Sequence, residues 1–448
     1  MQRIIIALVY IFLLPFVSSA QQQTCKENFL GSKTLYQPRQ QKYSPVPKGY
    51  APVFINHVGR HGARHLTKDV NTAFIYQLLS KAEKENALTA AGKQLKEKIW
   101  MLEKIEKKNF KSISAQGKKE QEGIAKRLFE NNQQVFQEPK PVINIAYTKE
   151  IRTLQSCDAF MDALTSKINK PAVTKKVNDT TLRFYDLSPA YLEYEEKGNW
   201  KRSLQELRSS LQYDKMANTI VTQFFSASFL KNIDVPSQDK FTTDLYGFIT
   251  IFYSVQKEIE EAGYKPADVD MQSFLTCDQL HILDKIDNAE DFLVKGPAMD
   301  ANGIQVKIAA PLLADFISST DEYLRSKNIN AQLRFSHAET ISPFAALLEF
   351  KGASETVKRA KDIGKKWRAE AIIPLSSNVQ WILYQKDGSD NYLVKFLLNE
   401  KEMKVNGLKT KTFPYYNWND VRAFYLKKLS TYNVNLESNY LQFLKEVK

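Results

Sequence analysis

The sequence contains few of the residues that define several protein classes. Its 448 residues include only three cysteines, 16 glycines and 16 prolines, whereas hydrophobic residues make up 43% of the chain. Three cysteines exclude a disulfide-rich scaffold or a cysteine-based metal framework. The low glycine and proline content excludes collagen-like chains, and the apolar fraction excludes intrinsic disorder. The chain is therefore suited to folding around an ordinary hydrophobic core.

Several functional patterns are also missing. After the N-terminal residues, no run approaches the ~20 apolar residues that a membrane span requires. The sequence has no Gly-X-Ser-X-Gly, P-loop or Cys-X-X-Cys motif. Basic residues are not interleaved with aromatic ones, so no nucleic-acid partner is expected. The 63 Lys and Arg against 50 Asp and Glu nevertheless give a net charge of +13, which favours an anionic ligand.

The N-terminus has the pattern of a secretory signal peptide. Arg3 precedes an apolar run over residues 4–17, and residues 18–20 (Ser-Ser-Ala) supply the small side chains of a cleavage site. We therefore predict that residues 1–20 are a signal peptide. The protein is then exported, periplasmic or secreted, and has no stable membrane anchor.

Export would place the three cysteines in an oxidising compartment. Cys25, Cys157 and Cys277 allow at most one intramolecular bridge. A pair between Cys157 and Cys277 is conceivable. An equally good interpretation is that no bridge forms, with two thiols buried and the third near the N-terminus.

Apolar patterns predict strands that alternate with helices. Strands are predicted at 52–58 (stopped by Gly59), 141–147, 182–185, 331–335, 379–384 and 392–397, the last two joined by a turn-rich hairpin connection. Helices are predicted within 70–138, with starts near Thr89 and Ser114, and over 152–164. Residues 188–299 are almost wholly helical in pattern.

This order predicts an α/β fold: a core sheet flanked by helices, with an inserted all-α cap domain. The predicted core comprises residues 21–187 and 300–448, and the cap comprises residues 188–299. An active site is expected between the strand ends and the cap.

Three of the five histidines, His57, His61 and His65, lie in one short segment. Their spacing would suit metal ligands only on a helix. Gly59 and Gly62 directly after a strand make a helix there unfavourable, so no metal and no other cofactor is predicted. The better interpretation is a strand-to-helix loop, because guanidinium groups on either side of an imidazole match phosphate oxygens.

A second group of residues follows the strand at 331–335. His337 and Glu339 lie at its C-terminal end, before a helix predicted to begin near Ile341. Glu339 can supply the proton that a leaving alkoxide requires, and His337 can hydrogen-bond the transferring group. Arg152 occupies a similar strand-to-helix junction. By contrast, His57 and His281 are interpreted as structural residues.

These residues resemble a known family. Arg60-His61-Gly62-Ala63-Arg64, followed by a strand-end histidine, is similar to the two-domain histidine phosphatases, which comprise the histidine acid phosphatases and phytases. His337-Ala338-Glu339, in place of their usual His-Asp pair, resembles specifically the multiple inositol polyphosphate phosphatases. The resemblance extends over most of the chain, including the region of Gly117 and the segment 152–156.

The resemblance implies roles for individual residues. His61 would be the nucleophile that forms a phosphohistidine, and Glu339 would protonate the leaving oxygen. A phosphate pocket would comprise Arg60, Arg64, Arg152 and His337. Thr67 and Lys68 match a Thr-Lys pair that contacts substrate phosphate in related phytases. Leu66 departs from the family, which usually has proline there, so the loop lacks the fixed φ that would restrain it, and this bears on substrate preference.

The expected function is therefore an exported, metal-independent phosphomonoesterase that hydrolyses inositol polyphosphates such as phytate. Its partner would be a small anionic substrate, and the protein would be a monomer. Two alternatives stay open: a general histidine acid phosphatase that acts on small phosphate esters, and a non-catalytic protein that binds phosphorylated ligands.

Overall fold

A computed structural model describes residue 25, residues 29–40 and residues 42–448. The predicted signal peptide, residues 1–20, lies outside the described residues. No described helix combines the length and the hydropathy that a membrane-spanning segment requires.

The described residues form one mixed sheet of eight strands. The strands are β1 (Tyr50–Arg60), β2 (Val142–Tyr147), β3 (Ala172–Val177), β4 (Ala331–Ser336), β5 (Asn378–Lys386), β6 (Tyr392–Leu398), β7 (Lys401–Glu402) and β8 (Tyr415–Asn417). They lie in the order β3-β2-β4-β1-β5-β6-β7, and β8 also pairs with β6. Strands β3, β2, β4 and β1 are parallel, whereas β5, β6, β7 and β8 pair antiparallel. The predicted hairpin between β5 and β6 is confirmed.

The parallel register brings three strand ends together. Arg60 of β1 pairs with Ser336 of β4, and Tyr147 of β2 pairs with Phe335 of β4. The C-terminal ends of β1, β2 and β4 therefore meet at one edge of the sheet, where ligands bind in open α/β sheets. β1 continues to Arg60, so the prediction that Gly59 ends this strand is wrong.

Nineteen α-helices surround the sheet in the described residues. They are α1 (Phe74–Lys84), α2 (Ala90–Glu106), α3 (Ala115–Asn131), α4 (Ile151–Thr165), α5 (Asp179–Leu182), α6 (Pro189–Lys197), α7 (Trp200–Ser210), α8 (Tyr213–Thr222), α9 (Ala227–Leu230), α10 (Val235–Phe252), α11 (Gln256–Glu261), α12 (Pro266–Val269), α13 (Cys277–Lys295), α14 (Ile304–Lys307), α15 (Ala310–Ser326), α16 (Ala338–Leu347), α17 (Ala369–Ile372), α18 (Trp418–Ser430) and α19 (Tyr440–Glu446).

The helix starts follow the capping pattern of the sequence. Thr89 accepts a hydrogen bond from the Gly92 N–H, and Ser114 accepts one from the Gly117 N–H. Each hydroxyl satisfies a backbone donor that the first helical turn leaves without a partner. The two predicted helix starts are therefore confirmed as the N-caps of α2 and α3.

The predicted strand at 182–185 is wrong. Asn178 caps the short helix α5 by accepting from the Thr181 N–H, and Phe184 begins a 3-10 turn. The strand lies earlier, at β3, whose side chains are mostly exposed because it forms an edge of the sheet. An exposed edge strand lacks the apolar alternation by which strands are recognised.

Residues 188–299, all of which the structure describes, contain helices α6–α13 and no strand. We call this segment the helical block. It is inserted between β3 and β4, which agrees with the predicted α/β fold that carries an all-α insertion. The exact division into domains at residues 187 and 300 stays a prediction.

Buried apolar residues lie on both faces of the sheet. A large cluster joins one face to the helical block and includes Phe54, Val58, Phe241 and Phe292. A smaller cluster packs α3 and α4 against the other face and includes Phe160. Covering both faces is typical of sheets with a parallel core.

One disulfide bond connects Cys25 to Cys277 at the start of α13, with the two Cα atoms 5.6 Å apart. Cys157 is a buried free thiol on α4, inside the smaller apolar cluster. The conceivable Cys157–Cys277 pair is therefore wrong, as is the interpretation without a bridge. The sequence could not reveal the bond, because 252 residues separate the two cysteines.

Candidate active site

The loop after β1 carries the first group of predicted site residues. Arg60 is the last residue of β1, and His61, Gly62 and Arg64 follow directly. The His61 backbone N–H donates to the carbonyl oxygen of Ser336, at the end of β4 (2.9 Å). This bond fixes the start of the loop against the neighbouring strand.

The His61 imidazole is buried and held in one orientation. Its Nδ1 lies 3.0 Å from the Gly62 carbonyl oxygen. Because a carbonyl only accepts, Nδ1 carries the hydrogen and Nε2 has the available lone pair. Burial, together with the charges of Arg60 and Arg64, holds the pKa of His61 well below its ordinary value. The ring is therefore neutral, as a nucleophilic imidazole must be.

Arg60 is anchored by backbone carbonyls. Its Nη1 donates to the carbonyl oxygens of Ser32 (2.6 Å) and Ile373 (2.5 Å). Burial lowers the pKa of this guanidinium, and Glu339 and Asp291 partly compensate by raising it. The carbonyls fix the group without neutralising it, so Arg60 brings a full positive charge to the site.

Arg64 adds a second guanidinium to the same region. Its Nη1 donates to the carbonyl oxygen of His65 (2.8 Å). Burial, followed by the positive charges of Arg60 and Arg152, lowers the pKa of Arg64 to about 10. Arg64 thus remains protonated at neutral pH, and it lies within electrostatic range of the guanidiniums of Arg60 and Arg152.

The buried carboxylate of Glu120, on α3, holds the loop by a hydrogen bond to its backbone. Glu120 accepts hydrogen bonds from the Ala63 N–H (3.0 Å), the Tyr36 N–H (3.0 Å) and the Ser376 hydroxyl (2.8 Å). Burial raises the pKa of Glu120, and these hydrogen bonds lower it in part. One side chain thereby joins the loop to two distant segments of the chain.

A second buried carboxylate, that of Glu106 at the end of α2, holds the far end of the loop. It accepts from His65 Nδ1 (2.9 Å) and from the Leu66 N–H (2.7 Å). A proline at position 66 would have no N–H to donate. The hydrogen bond from the Leu66 N–H to Glu106 therefore restrains the loop at the position where a proline would otherwise fix the backbone.

His337 and Arg152 meet across the ends of β4 and β2. The Arg152 Nη2 lies 3.2 Å from His337 Nδ1, and the Thr148 hydroxyl lies 3.0 Å from His337 Nε2. Because a guanidinium only donates, His337 Nδ1 accepts and Nε2 carries the hydrogen. Burial, then the charge of Arg152, lowers the pKa of His337 to about 3. The His337 ring lies 5.5 Å from the His61 ring, measured between centroids.

Glu150 holds Arg152 from its other side. Its Oε2 lies 2.9 Å from Arg152 Nη1, and its Oε1 lies 2.5 Å from Arg183 Nη1. Burial raises the pKa of Glu150, but the two guanidiniums outweigh burial and leave it lowered. Arg152 is therefore held between Glu150 and His337.

Glu339 lies in the first turn of α16, which begins at Ala338. The prediction that this helix begins near Ile341 is wrong, because His337 already serves as its N-cap. The Glu339 side chain is about one-third exposed (34%), and its Oε1 lies 3.4 Å from Lys295 Nζ. Burial raises the pKa of Glu339, but the charges around it, above all that of Lys295, outweigh burial and leave it below its usual range.

Two further predicted site residues follow the loop. Thr67 and Lys68 are exposed, and Lys68 is within electrostatic range of Asp244 on α10. Their role in contacting substrate stays a prediction.

The other histidines do not join the site. His57 lies within β1, where its ring packs against Phe160 and Phe335. His281, on α13, packs edge-on against Phe29. His57, His61 and His65 lie on a strand and a loop, so the helical metal-ligand arrangement that their spacing would need is not formed.

Sequence reasoning missed several residues that shape the site: Glu106, Glu120, Thr148, Glu150 and Lys295. Glu150 and Thr148 could have been found from their position beside Arg152 at the end of β2. Glu106, Glu120 and Lys295 lie on helices rich in charged residues, and nothing in their spacing distinguishes them from solvated neighbours.

Comparisons with known proteins agree with this geometry. The sequence model of the histidine phosphatase superfamily (branch 2) matches residues 53–399. A comparison with curated proteins found no match. Among solved structures, a multiple inositol polyphosphate phosphatase from Bifidobacterium longum, in complex with inositol hexasulfate, superposes with a TM-score of 0.76 at 20% identity, covering 87% of this chain and 96% of that chain.

Phytases are also similar in fold. The phytase from D. castellii superposes with a TM-score of 0.64 at 12% identity, covering 97% of this chain and 92% of that chain. The phytase from Citrobacter braakii superposes with a TM-score of 0.52 at 12% identity, covering 85% of this chain and 98% of that chain. At these identities the likeness concerns the fold.

Proposed function

Because the chain belongs to the histidine phosphatase superfamily (branch 2), we propose that it is an exported, metal-independent phosphomonoesterase that hydrolyses inositol polyphosphates. The observation that carries the proposal is the His61 ring, whose Nδ1–H is held by the Gly62 carbonyl beside Arg60, Arg64 and Arg152. This arrangement leaves Nε2 as the nucleophile and surrounds it with the charges that a phosphoryl group requires.

In the first step, His61 Nε2 attacks phosphorus and the bond from phosphorus to the ester oxygen breaks. The bonding electrons go to the leaving oxygen, which takes a proton from Glu339 and departs as an alcohol. Arg60, Arg64 and Arg152 offset the negative charge of the phosphoryl oxygens. In the free protein both ring nitrogens of His337 are engaged, one with Thr148 and one with Arg152, so His337 fixes Arg152; its direct contact with the phosphoryl group stays a prediction.

In the second step, water attacks the phosphohistidine. The phosphorus–nitrogen bond breaks, its electrons return to His61 Nε2, and the Glu339 carboxylate accepts the proton of the attacking water. Inorganic phosphate leaves and Glu339 is again protonated for the next cycle. No metal ion is needed at either step, because the guanidiniums provide the charge compensation.

Glu339 must gain a proton before it can donate one. Cations hold its pKa low in the free protein. A bound phosphate brings negative charge to the same region, which favours the protonated carboxyl. We therefore expect turnover to be best under acidic conditions.

Inositol polyphosphate is the substrate class we favour. The net charge of +13 suits a substrate with many negative charges. The His-Ala-Glu sequence at 337–339 and the similarity to the Bifidobacterium longum enzyme support the same choice. A general acid phosphatase is the alternative, because the residues around His61 would accept any phosphate monoester.

Export is part of the proposal. The signal-peptide pattern at residues 1–20 and the Cys25–Cys277 disulfide both suit an oxidising compartment. N-terminal sequencing of protein recovered outside the cytoplasm should begin at Gln21. An intact N-terminus on all of the protein would contradict the signal peptide.

The deciding experiment measures phosphate release from phytate and from an aryl phosphate in the presence of chelator. We expect chelator-resistant release that favours phytate, its loss in His61→Ala, and its retention in the matched control His281→Ala. Release from the aryl ester alone would indicate a general acid phosphatase. No release from either substrate would favour a binding protein for phosphorylated ligands.

A further inference from the structure

Lys295, the last residue of α13, reaches the proposed proton donor from the helical block. Its Nζ lies 2.7 Å from Asp291 Oδ1, one helical turn earlier, and 3.4 Å from Glu339 Oε1. The Lys295 side chain is only 21% exposed. A lysine with so little exposure is confined, so its charge stays beside Glu339 instead of moving freely in solvent.

We propose that Lys295 is a positioning residue that holds the Glu339 carboxylate by an ion pair and so sets the pH at which Glu339 takes up its proton. The inference rests on the proposed function, in which Glu339 is the proton donor. It assigns to the helical block a direct part in the acid–base chemistry of the core.

The place of Lys295 in its helix favours this role. It ends α13, where the helix dipole attracts a cation. Asp291 provides a second partner through a short, partly buried ion pair at i, i+4. Lys295 is therefore kept charged: burial lowers its pKa, but Asp291 and Glu339 outweigh burial and raise it.

The remaining charges that face Glu339 come from several elements. Arg60 at the end of β1 and His337 at the start of α16 both favour its ionised form. Arg64, in the loop after β1, is also within electrostatic range of Glu339. Arg60 is fixed by two carbonyls, and His337 is buried with a pKa lowered to about 3. Of these four basic groups, Lys295 is the only one that makes an ion pair with Glu339 among the described residues.

Acidic and phenolic groups complete the surroundings. Glu195 and Tyr191 of α6, and Tyr185 in the 3-10 turn after α5, are within electrostatic range of Glu339. Burial raises the pKa of each, and the charge of Glu339 raises it further. The two tyrosines are therefore neutral, and Lys295 offsets the negative charge that Glu195 and Asp291 bring near the donor.

Removing the Lys295 charge should make Glu339 easier to protonate. A unit charge at this separation changes a carboxyl pKa by about one to three units, depending on the effective dielectric constant. In Lys295→Met we expect the Glu339 titration midpoint to move to higher pH by that amount. Lys295→Arg retains the charge and should stay close to the wild type.

The test follows Glu339 directly. Carboxyl carbon NMR of protein labelled at glutamate, with the Glu339 signal assigned by its loss in Glu339→Gln, gives the midpoint in each folded variant. Lys285→Met removes a lysine from the same helix outside the site and is the matched control. A midpoint in Lys295→Met equal to that of the wild type, or a shift of equal size in Lys285→Met or Lys295→Arg, would overturn the proposal.

Turnover provides the second measurement. For an alkyl phosphate, the alkaline limb of the kcat profile should move to higher pH in Lys295→Met, in step with the NMR midpoint, and return in Lys295→Arg. A fall in activity at all pH values with no shift of either readout would mark Lys295 as merely structural. If no variant, wild type included, released phosphate, the proposed function would fail, while the NMR midpoints would still decide the effect of Lys295 on Glu339.

Discussion

Gly62 and Gly117 are in backbone contact, with no room for a side chain between them. A Cβ added to Gly62 would lie 2.6 Å from the Gly117 carbonyl oxygen, and one added to Gly117 would lie 2.0 Å from the carbonyl oxygen of Ala63. The loop that carries His61 therefore rests directly on the first turn of α3. Both positions require glycine because of its small size and not because of its backbone freedom, since neither has a positive φ.

We expect Gly117→Ala to reduce activity, although it adds only one methyl group. The methyl must push the loop away from α3, which moves His61 relative to the guanidiniums and costs about 1–3 kcal/mol of stability. Steady-state kinetics and urea unfolding would measure both effects. The matched control is Gly123→Ala on the same helix, where the nearest atom to a new Cβ is the flexible Arg127 guanidinium at 3.1 Å. Equal activity in the two variants would show that the contact is unimportant.

Glu339→Gln should slow turnover mainly for substrates with poor leaving groups. An alkoxide requires a proton as its bond to phosphorus breaks, whereas an activated aryl oxide requires little help, so we expect a loss of about 10²–10⁴-fold on alkyl phosphates. The measurement is kcat on an alkyl and on an aryl phosphate. An equal loss on both would count against Glu339 as the acid.

The buried His57 should make the fold sensitive to acid. Burial, reinforced by the charge of Arg334, outweighs the opposing contribution of the Arg334 backbone and lowers the pKa of His57 to about 3. The unfolded chain binds this proton near pH 6.5, so the stability contribution is complete above that pH and is lost as the pH falls towards 3. His337 adds a loss in the same window, since its pKa is also lowered to about 3.

His57→Leu should weaken this pH dependence. The free energy of unfolding should fall by about 1.4 kcal/mol less per pH unit between pH 6 and 4 than in the wild type, because one proton fewer is taken up on unfolding. Urea unfolding at both pH values would measure the difference. His281→Leu, at an exposed position, is the comparison, and identical slopes in the two variants would refute the argument.

The Cys25–Cys277 bond should stabilise the protein by restricting its unfolded state. Cys25→Ser is expected to lower the free energy of unfolding by about 2–4 kcal/mol. A reductant should lower the melting temperature of the wild type but not that of the variant. Cys157→Ala, which removes the free thiol, tests whether the reductant acts elsewhere, and a reductant effect that persisted in Cys25→Ser would contradict the assignment.

The sequence indicated the parts of the site that end buried strands. Arg60 ends β1 and His337 follows β4, two strands with plain apolar runs, and Arg152 comes shortly after the end of β2. The sequence pattern did not predict β3, because its side chains are mostly exposed and show no apolar alternation. Lys295 was not predicted for another reason: a single lysine at a helix end carries no periodicity, and only the packing of α13 beside α16 places it against Glu339.

Strand order has a consequence for how the protein acquires its function. β4 lies between β1 and β2, so the two strands that deliver His61 and Arg152 have no contact in the sheet until residues 331–336 arrive. The helical block precedes β4 in the chain, so the ribosome must synthesise the whole block before it makes that strand. A chain released from the ribosome before residue 331 would contain His61, Arg64 and Arg152, yet its sheet could not bring them together. Comparing phosphate binding by such fragments with that of the full chain would therefore show at which point of synthesis the protein becomes able to bind phosphate.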